Sequence, residues 1–296
     1  MDIEEVAQDI YLLDLGRDPI YSVRQIAYWL VDDQTALIEP GSTATAVEFL
    51  VGARHAGLDL ERLAYIIPTH IHVDHGGGSG YLAQKLPRAR VVLHPRAVPH
   101  MTDPSRLVQA LRQVHGDDFE NAFGPVLPLN RDRILLADDG QVIHLGKRDL
   151  TVVFSPGHAS HHISLMDSLT KGLFCGEALG FIADDMPDII SPAGAPPFDP
   201  DVYVETIDKL QGLGPELLFC SHLGVRRDVD ALIASLRESC DAFGRIIEQG
   251  LQAGDDREQI WEQLSRYVNA RHPGARLPLT FELTITGYID YFKSQR

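Results

Sequence analysis

The chain of 296 residues reads as an α+β protein with a helical C-terminal extension. Three observations predict this. Short apolar runs bounded by turn residues alternate with helical spacing in the first half. From Asp132 onward short strands follow one another with little between them. After residue 226 apolar residues recur only at helical spacing. The chain is long enough to bury a large core, in one big domain or in one domain plus an appendage.

The first candidate strands are Ile10–Leu15, Gln25–Val31 and Thr35–Glu39, with Asp32-Asp33-Gln34 turning between the last two. A helix follows from Thr43, where Val47, Leu50 and Val51 keep helical spacing. Leu63–Pro68 is the next strand. Gly76-Gly77-Gly78 lets the backbone turn closely, a helix covers Ser79 to Leu86, and Val91–His94 is a further strand.

Residues 95–132 break this pattern. Three prolines, Pro95, Pro99 and Pro104, precede a helical stretch with Leu107, Leu111 and Val114, and a loop follows at Phe123. This stretch reads as an insertion placed to act as a lid, and its apolar residues, with Met101 and Phe119, serve either packing or an acyl chain. Strands resume at Ile134–Leu136, Val142–Leu145, Leu150–Ser155, Ile163–Asp167 and Gly172–Cys175, an antiparallel-looking series. A helix over Asp201–Gln211 and a strand at Leu217–Ser221 complete a domain of residues 1–225.

In residues 226–296, Val229, Leu232, Ile233, Leu236, Phe243, Ile246 and Ile247 share one helical stripe, and Ile260, Trp261, Leu264 and Val268 another. The stripes suit a homodimer interface and packing on the main domain equally. Leu277 to Phe292 fits both periods. Leu277, Leu279, Phe281, Leu283 and Ile285 alternate, whereas Phe281, Ile285, Ile289 and Phe292 keep helical spacing, which is the preferred reading.

Net charge is −16, from 26 Lys and Arg against 42 Asp and Glu, with no basic run to neutralise phosphates, so nucleic acid is not an expected partner. No apolar run reaches the length of a membrane span and the acidic start carries no signal-peptide pattern. The three cysteines, Cys175, Cys220 and Cys240, form no C-x-x-C pair and read as free thiols of a reducing compartment, so a cytoplasmic location is expected.

The chemistry concentrates in Thr69-His-Ile-His-Val-Asp-His-Gly-Gly-Gly78. His70, His72, Asp74 and His75 fall within six residues directly after a strand. Imidazole and carboxylate together suit zinc, and iron or manganese less exclusively. One ion needs about four ligands, and a hydrolytic one keeps a position open. Further partners stand at later strand ends: His158 in Ser-Pro-Gly-His, Glu177 in Phe-Cys-Gly-Glu, and His222 in Cys-Ser-His. Each of these, taken alone, also reads as an ordinary loop or turn residue. Together they match the residue types that the first motif requires.

H-x-H-x-D-H, then P-G-H, then an acid after a glycine, then a late His, in that order, resembles the metallo-β-lactamase superfamily over roughly residues 5–225. The resemblance implies a four-layer αββα sandwich of two mostly antiparallel mixed sheets with the metal site at one edge. It implies two divalent ions, zinc first and iron or manganese as alternatives. By position, His70, His72 and His158 would hold one ion, Asp74, His75 and His222 the second, and Glu177 would bridge. Asp74 would also orient the attacking water. Glu39, in Leu-Ile-Glu-Pro-Gly, would orient a ligand, and His162 matches a further family histidine in G-H-x-x-x-H, read as supporting. His161 has no role in the resemblance. The family usually has Asp at the positions of Glu177 and Glu39. The longer side chain at 177 puts the bridge and the choice of metal in question, and that at 39 must be absorbed nearby.

Within the superfamily the compact chain with a helical extension is similar to glyoxalase-II-like thioester hydrolases and lactonases. The expected activity is metal-assisted hydrolysis of a small-molecule ester, thioester or lactone. Arg226-Arg227, after the last ligand, suits an anionic thioester or a solvated pair. Two alternatives stand: an iron-dependent oxidoreductase, as in persulfide dioxygenases and di-iron proteins, and a non-catalytic metal-binding protein. The di-iron proteins commonly carry Glu where this chain has His72, which favours hydrolysis.

Overall fold

The structure, a computed structural model, describes residues 1–17, 20, 23–116, 118–182, 190–275, 277 and 280–295. Its contacts form two compact units. The first holds Met1–Phe154, His161–Gly176 and Glu216–Arg227, and the second Ser155–Ser160, Glu177–Pro215 and Asp228–Arg296.

In chain order the elements begin β1 (Asp2–Ala7), β2 (Ile10–Arg17), β3 (Arg24–Leu30), β4 (Thr35–Ile38), α1 (Thr43–His55), β5 (Leu63–Ile67), α2 (Val73–Gly76), α3 (Ser79–Lys85) and β6 (Arg90–Leu93). They continue with α4 (Val98–Thr102), α5 (Ser105–His115), α6 (Phe119–Phe123), β7 (Ile134–Leu136), β8 (Val142–His144), β9 (Asp149–Phe154), β10 (Ile163–Asp167) and β11 (Gly172–Gly176). Last come β12 (Phe181–Ile182), β13 (Ile190–Ser191), α7 (Pro200–Gly212), β14 (Leu217–Cys220), β15 (Gly224–Arg226), α8 (Val229–Ala253), α9 (Arg257–Arg271) and α10 (Phe281–Ser294).

The first unit contains two mixed sheets. One runs β1 to β7 in sequence order, antiparallel through β4 and parallel from β4 to β7. Parallel neighbours need crossover connections. Here they are α1, then α2 and α3, then the α4–α6 segment predicted as an insertion. The other sheet is ordered β15-β14-β11-β10-β9-β8, antiparallel except for β11 beside β14.

Strand alternation builds two cores. Along β3, Ile26, Tyr28 and Leu30 enter a cluster shared with Ile143, Val152, Leu165 and Phe219 of the second sheet. Ala27 and Trp29 face the other way, into a cluster with Phe49 and Leu50 of α1 and Leu82 of α3. The unit is thus layered helix, sheet, sheet. On α1 the buried face is Ala46, Phe49, Leu50 and Ala53, while Val47 and Val51 are exposed, which corrects the stripe expected from Val47, Leu50 and Val51. The ring of Phe49 packs against Trp29 and sets the helix rotation.

In the 95–132 segment Met101, Leu111, Phe119 and Phe123 are buried and Val114 is exposed. Leu111, Phe119, Phe123 and Val126 cluster around Val73 of the His-rich loop. Far from that loop, Arg148 and Asp167 form a fully buried ion pair at 2.6 Å. The Arg148 guanidinium also donates to the Gln8 carbonyl, and the Thr170 N–H and hydroxyl donate to Asp167.

The second unit packs α8 against α7, α9, α10 and β13. Asp256 and Gln259 form a capping box that starts α9. The ambiguous last segment is the helix α10, burying Phe281, Ile285, Tyr288 and Ile289. Leu279 lies outside the described residues. No helix among the described residues is long and apolar enough to cross a membrane.

Candidate metal centre

The site grows from the carboxyl ends of β4 and β5. The Glu39 N–H donates to the Ile67 carbonyl at 3.1 Å, so the two strands deliver Glu39 and Thr69 side by side. The chain beyond Thr69 doubles back as the single-turn α2, which carries Asp74 and His75. This return needs glycine at 76, where a Cβ would come within 2.7 Å of the His70 carbonyl oxygen.

Glu39 is 3% exposed and has φ 59, a left-handed backbone rare for a residue with a side chain. Its carboxylate is fully engaged. Oε1 accepts from the Thr69 hydroxyl at 2.6 Å and the Ser221 hydroxyl at 3.0 Å, and Oε2 lies 3.1 Å from His75 Nδ1. The extra methylene of Glu39 is absorbed by these three partners.

A carboxylate only accepts, so His75 donates from Nδ1 and turns Nε2 away from Glu39. His75 Nε2 lies 3.3 Å from Asp74 Oδ2. His222 repeats the pattern: Nδ1 meets the Arg24 carbonyl at 2.8 Å, and Nε2 lies 3.8 Å from the same Asp74 oxygen. Asp74, His75 and His222 bring one ligand atom each within 4.8 Å of one another. Beside them His70 Nδ1 is 3.0 Å from the Thr69 hydroxyl, and His70 Nε2 is 3.0 Å from His72 Nδ1. His70, His75 and His222 are buried, whereas the Asp74 side chain is 28% exposed, so the group is open on the Asp74 side.

His162 is fully buried and stacks on His70 with centroids 5.1 Å apart. Gly176 (φ +52) makes room for it, since a Cβ there would stand 2.5 Å from both His162 Nε2 and Thr69 Oγ1. His161 is partly exposed, 6.4 Å from His70 and 6.3 Å from His72 by ring centroid.

In the second unit His158 donates from Nδ1 to the Ala193 carbonyl at 2.8 Å, and its Nε2 lies 3.0 Å from Glu177 Oε2. The loop carrying His158 is tied to α7. The Thr206 hydroxyl donates to the Pro156 carbonyl at 2.6 Å, and the Asp199 N–H to the Gly157 carbonyl at 3.1 Å. The Tyr203 hydroxyl donates to the Glu177 carbonyl at 3.0 Å.

This donor set fits divalent cations. A histidine that ligates a metal gives its other ring N–H to a carboxylate or carbonyl, as His75, His222 and His158 do. In each, the other ring nitrogen faces a carboxylate oxygen, a position that favours a cation between them. The composition of the set, imidazole with carboxylate and no thiolate, matches zinc, iron or manganese chemistry. Cys175 and Cys220 are buried on neighbouring strands with their sulfurs 3.8 Å apart.

Sequence reasoning named the histidines and acids but missed Thr69 and Ser221, the hydroxyl residues directly before His70 and His222. That position was the available signal. It also missed the carbonyls of Arg24 and Ala193, which no sequence pattern marks. Of the basic pair after His222, Arg227 donates to the Val6 carbonyl at 3.4 Å.

The model of the metallo-beta-lactamase superfamily matches residues 21–222. Human acyl-coenzyme A thioesterase MBLAC2 is 28% identical over 187 residues, covering 54% of this chain and 61% of that protein. A hydroxyacylglutathione hydrolase of Cupriavidus taiwanensis is 27% identical over 219 residues, covering 72% of this chain and 68% of that one. The crystal structure of the metallo-beta-lactamase family protein TTHA1429 from Thermus thermophilus superposes with a TM-score of 0.72 at 21% identity, covering 98% of this chain and 95% of that chain, and shows the same fold.

Proposed function

This chain belongs to the metallo-beta-lactamase superfamily, and from that premise we propose that it is a dinuclear metal-dependent hydrolase of small-molecule esters, thioesters or lactones, thioesters foremost. The observation that carries the reading is the set of histidines whose Nδ1 is committed to a carboxylate or carbonyl while Nε2 faces Asp74 or Glu177. The thioester choice draws on the relatives, a coenzyme A thioesterase and a hydroxyacylglutathione hydrolase.

In this reading His70, His72 and His158 would hold one ion, Asp74, His75 and His222 would hold the other, and Glu177 would supply a carboxylate shared between them. Chain connectivity supports assigning His158 and Glu177 to the same centre, since His158 precedes His161 by three residues and Glu177 directly follows Gly176. Glu39 fixes His75, and His162 buttresses His70. The 1–225 segment carries the site, 226–296 extends it, and 95–132 closes over it.

Bound there, divalent ions would supply Lewis acidity and lower the pKa of water toward about 7. The protein's own groups do the rest. The partly exposed Asp74 carboxylate accepts a hydrogen bond from the attacking water and holds it toward the acyl carbon. Buried His75 and His222 cannot swing away, because Glu39 and the Arg24 carbonyl hold their far nitrogens. No protein nucleophile is required, and the buried Cys175 and Cys220 are poorly placed to serve as one.

The test is elemental mass spectrometry on protein from unsupplemented medium, followed by a panel of acyl-coenzyme A, glutathione thioester and lactone substrates. About two zinc or manganese ions per chain, with hydrolysis lost in a folded His70→Ala variant, is the expected result. About one iron per chain with no hydrolysis of any panel member would replace this reading by the oxidoreductase one.

A further inference from the structure

The ladder between β2 and β3 breaks just where β3 meets the candidate centre. Its register runs from Ile10 opposite Leu30 to Asp14 opposite Ile26, then shifts, so that Arg17 stands opposite Arg24. Gly16, with φ +91, lies in the shifted stretch. A bulge interrupts ladder bonds and re-aims the groups beside it. One carboxylate spans this bulge. Asp14 Oδ1 accepts from the Gly16 N–H at 2.9 Å, and Oδ2 accepts from Arg24 Nε at 2.8 Å.

Arg24 is the first residue of β3, and its carbonyl accepts from His222 Nδ1 at 2.8 Å. Two residues on, the Ile26 N–H donates to the Ser221 carbonyl at 3.1 Å. The start of β3 thus grips Ser221 and His222 through its backbone, and Asp14 grips the start of β3. We propose that Asp14 is a positioning residue for His222. Through Arg24 it holds the carbonyl that keeps the His222 proton on Nδ1 and leaves Nε2 on the side of Asp74. This rests on the reading of His222 as a metal ligand given above. A neutral imidazole carries its proton on either nitrogen, and the acceptor offered to one nitrogen decides which. The Asp14 and Arg24 side chains are partly exposed, 27% and 32%, so their ion pair adds little to global stability. Its effect is local placement.

The experiment breaks the pair from each end. Asp14→Asn removes the charge that meets Arg24. Arg24→Met removes the guanidinium and keeps the carbonyl, and Arg24→Lys keeps a cation for Asp14. Nitrogen-15 shifts of the His222 ring are read in metal-free protein at a pH where imidazole is neutral, with His222→Ala to assign them. Zinc affinity is read by competition with a chromophoric chelator, and melting temperature is measured alongside. The parent should show the Nδ1–H tautomer alone. Asp14→Asn and Arg24→Met should each show a mixture of tautomers and bind one zinc ion about tenfold more weakly, the low end of what losing a supporting group costs. The double variant should be no worse than the poorer single, because both act through one contact. Arg24→Lys should recover part of both losses, with melting temperatures close to the parent's.

An unchanged His222 tautomer in both Asp14→Asn and Arg24→Met would overturn the proposal. So would a loss of zinc that follows a fall in melting temperature, since that marks a general structural role. A parent that binds no zinc would overturn the reading of the centre, and the tautomer comparison, made without metal, would still decide whether Asp14 positions His222.

Discussion

Glu39 Oε2 lies 3.1 Å from His75 Nδ1, and the residue that provides it holds a left-handed backbone with φ 59. Strain of this kind costs about 1–3 kcal/mol and persists only where the surroundings enforce it. Three hydrogen-bonding partners enforce it here. Glu39→Gln keeps the length but loses the charge that fixes the His75 tautomer. If His75 holds a metal ion, as proposed, the change should weaken binding of that ion about 10- to 100-fold, read by competition with a chromophoric chelator. Metal affinity equal to the parent's would mean that the Glu39 charge does not tune His75 as a ligand.

The buried pair of Arg148 and Asp167 predicts an asymmetry. Arg148→Met leaves the Asp167 carboxylate buried without its partner and should cost about 3–5 kcal/mol in urea unfolding. The double variant with Asp167→Asn removes the stranded charge and should regain much of that loss. A single-variant cost below about 1 kcal/mol would mean that water reaches the pair.

Asp32 predicts a pH effect. Burial raises its carboxyl pKa, but N–H donors of Arg148 (2.7 Å) and Asp33 (2.8 Å), with Lys147 and the Arg148 charge, outweigh this and leave the pKa lowered from 3.8. A lowered folded-state pKa contributes stability above the unfolded value, and that contribution fades as pH falls through the folded one. Asp32→Asn should therefore cost about 1 kcal/mol at pH 7 and progressively less below pH 3.8. A cost that is constant across this window would place the effect in packing.

Thiol chemistry supplies a fourth check. Cys175 is raised by its hydrogen bond with Cys220 and by burial, and Cys240 is raised by burial to about 12. Thiolate is the reactive form, so iodoacetamide at pH 8 should modify these two only when the protein unfolds. Rapid alkylation of native protein, followed by intact-mass spectrometry, would contradict the packing around β11 and α8.

Most strands were legible because apolar runs were bounded by turn residues. Thr35 to Glu39 and Ile163–Asp167 are examples. β1 was not, since Asp2, Glu4 and Glu5 give an edge strand no apolar alternation, and pairing with β2 alone defines it. The rotation of α1 was also hidden, because Val47 and Val51 outrank Ala46 and Ala53 in hydrophobicity while smaller residues suit the close approach to the sheet. At the centre the ligand types were readable from spacing. The hydrogen bonds that aim them were not, because Arg24 meets His222 across 198 positions through a backbone atom that any residue would provide.

The apolar cluster around Val73 joins two regions that are far apart in sequence. Val73 stands between His72 and Asp74, so the same short turn carries site chemistry on its flanking residues and a packing anchor in its middle. The α4–α6 segment is therefore not an exchangeable module. A relative's segment transplanted here would have to bring its own counterpart to Val73, and drift in Leu111, Phe119 or Phe123 would be felt as a tilt of His72 and Asp74. Selection on the His-rich turn would then act through these buried apolar side chains as well as through the histidines themselves.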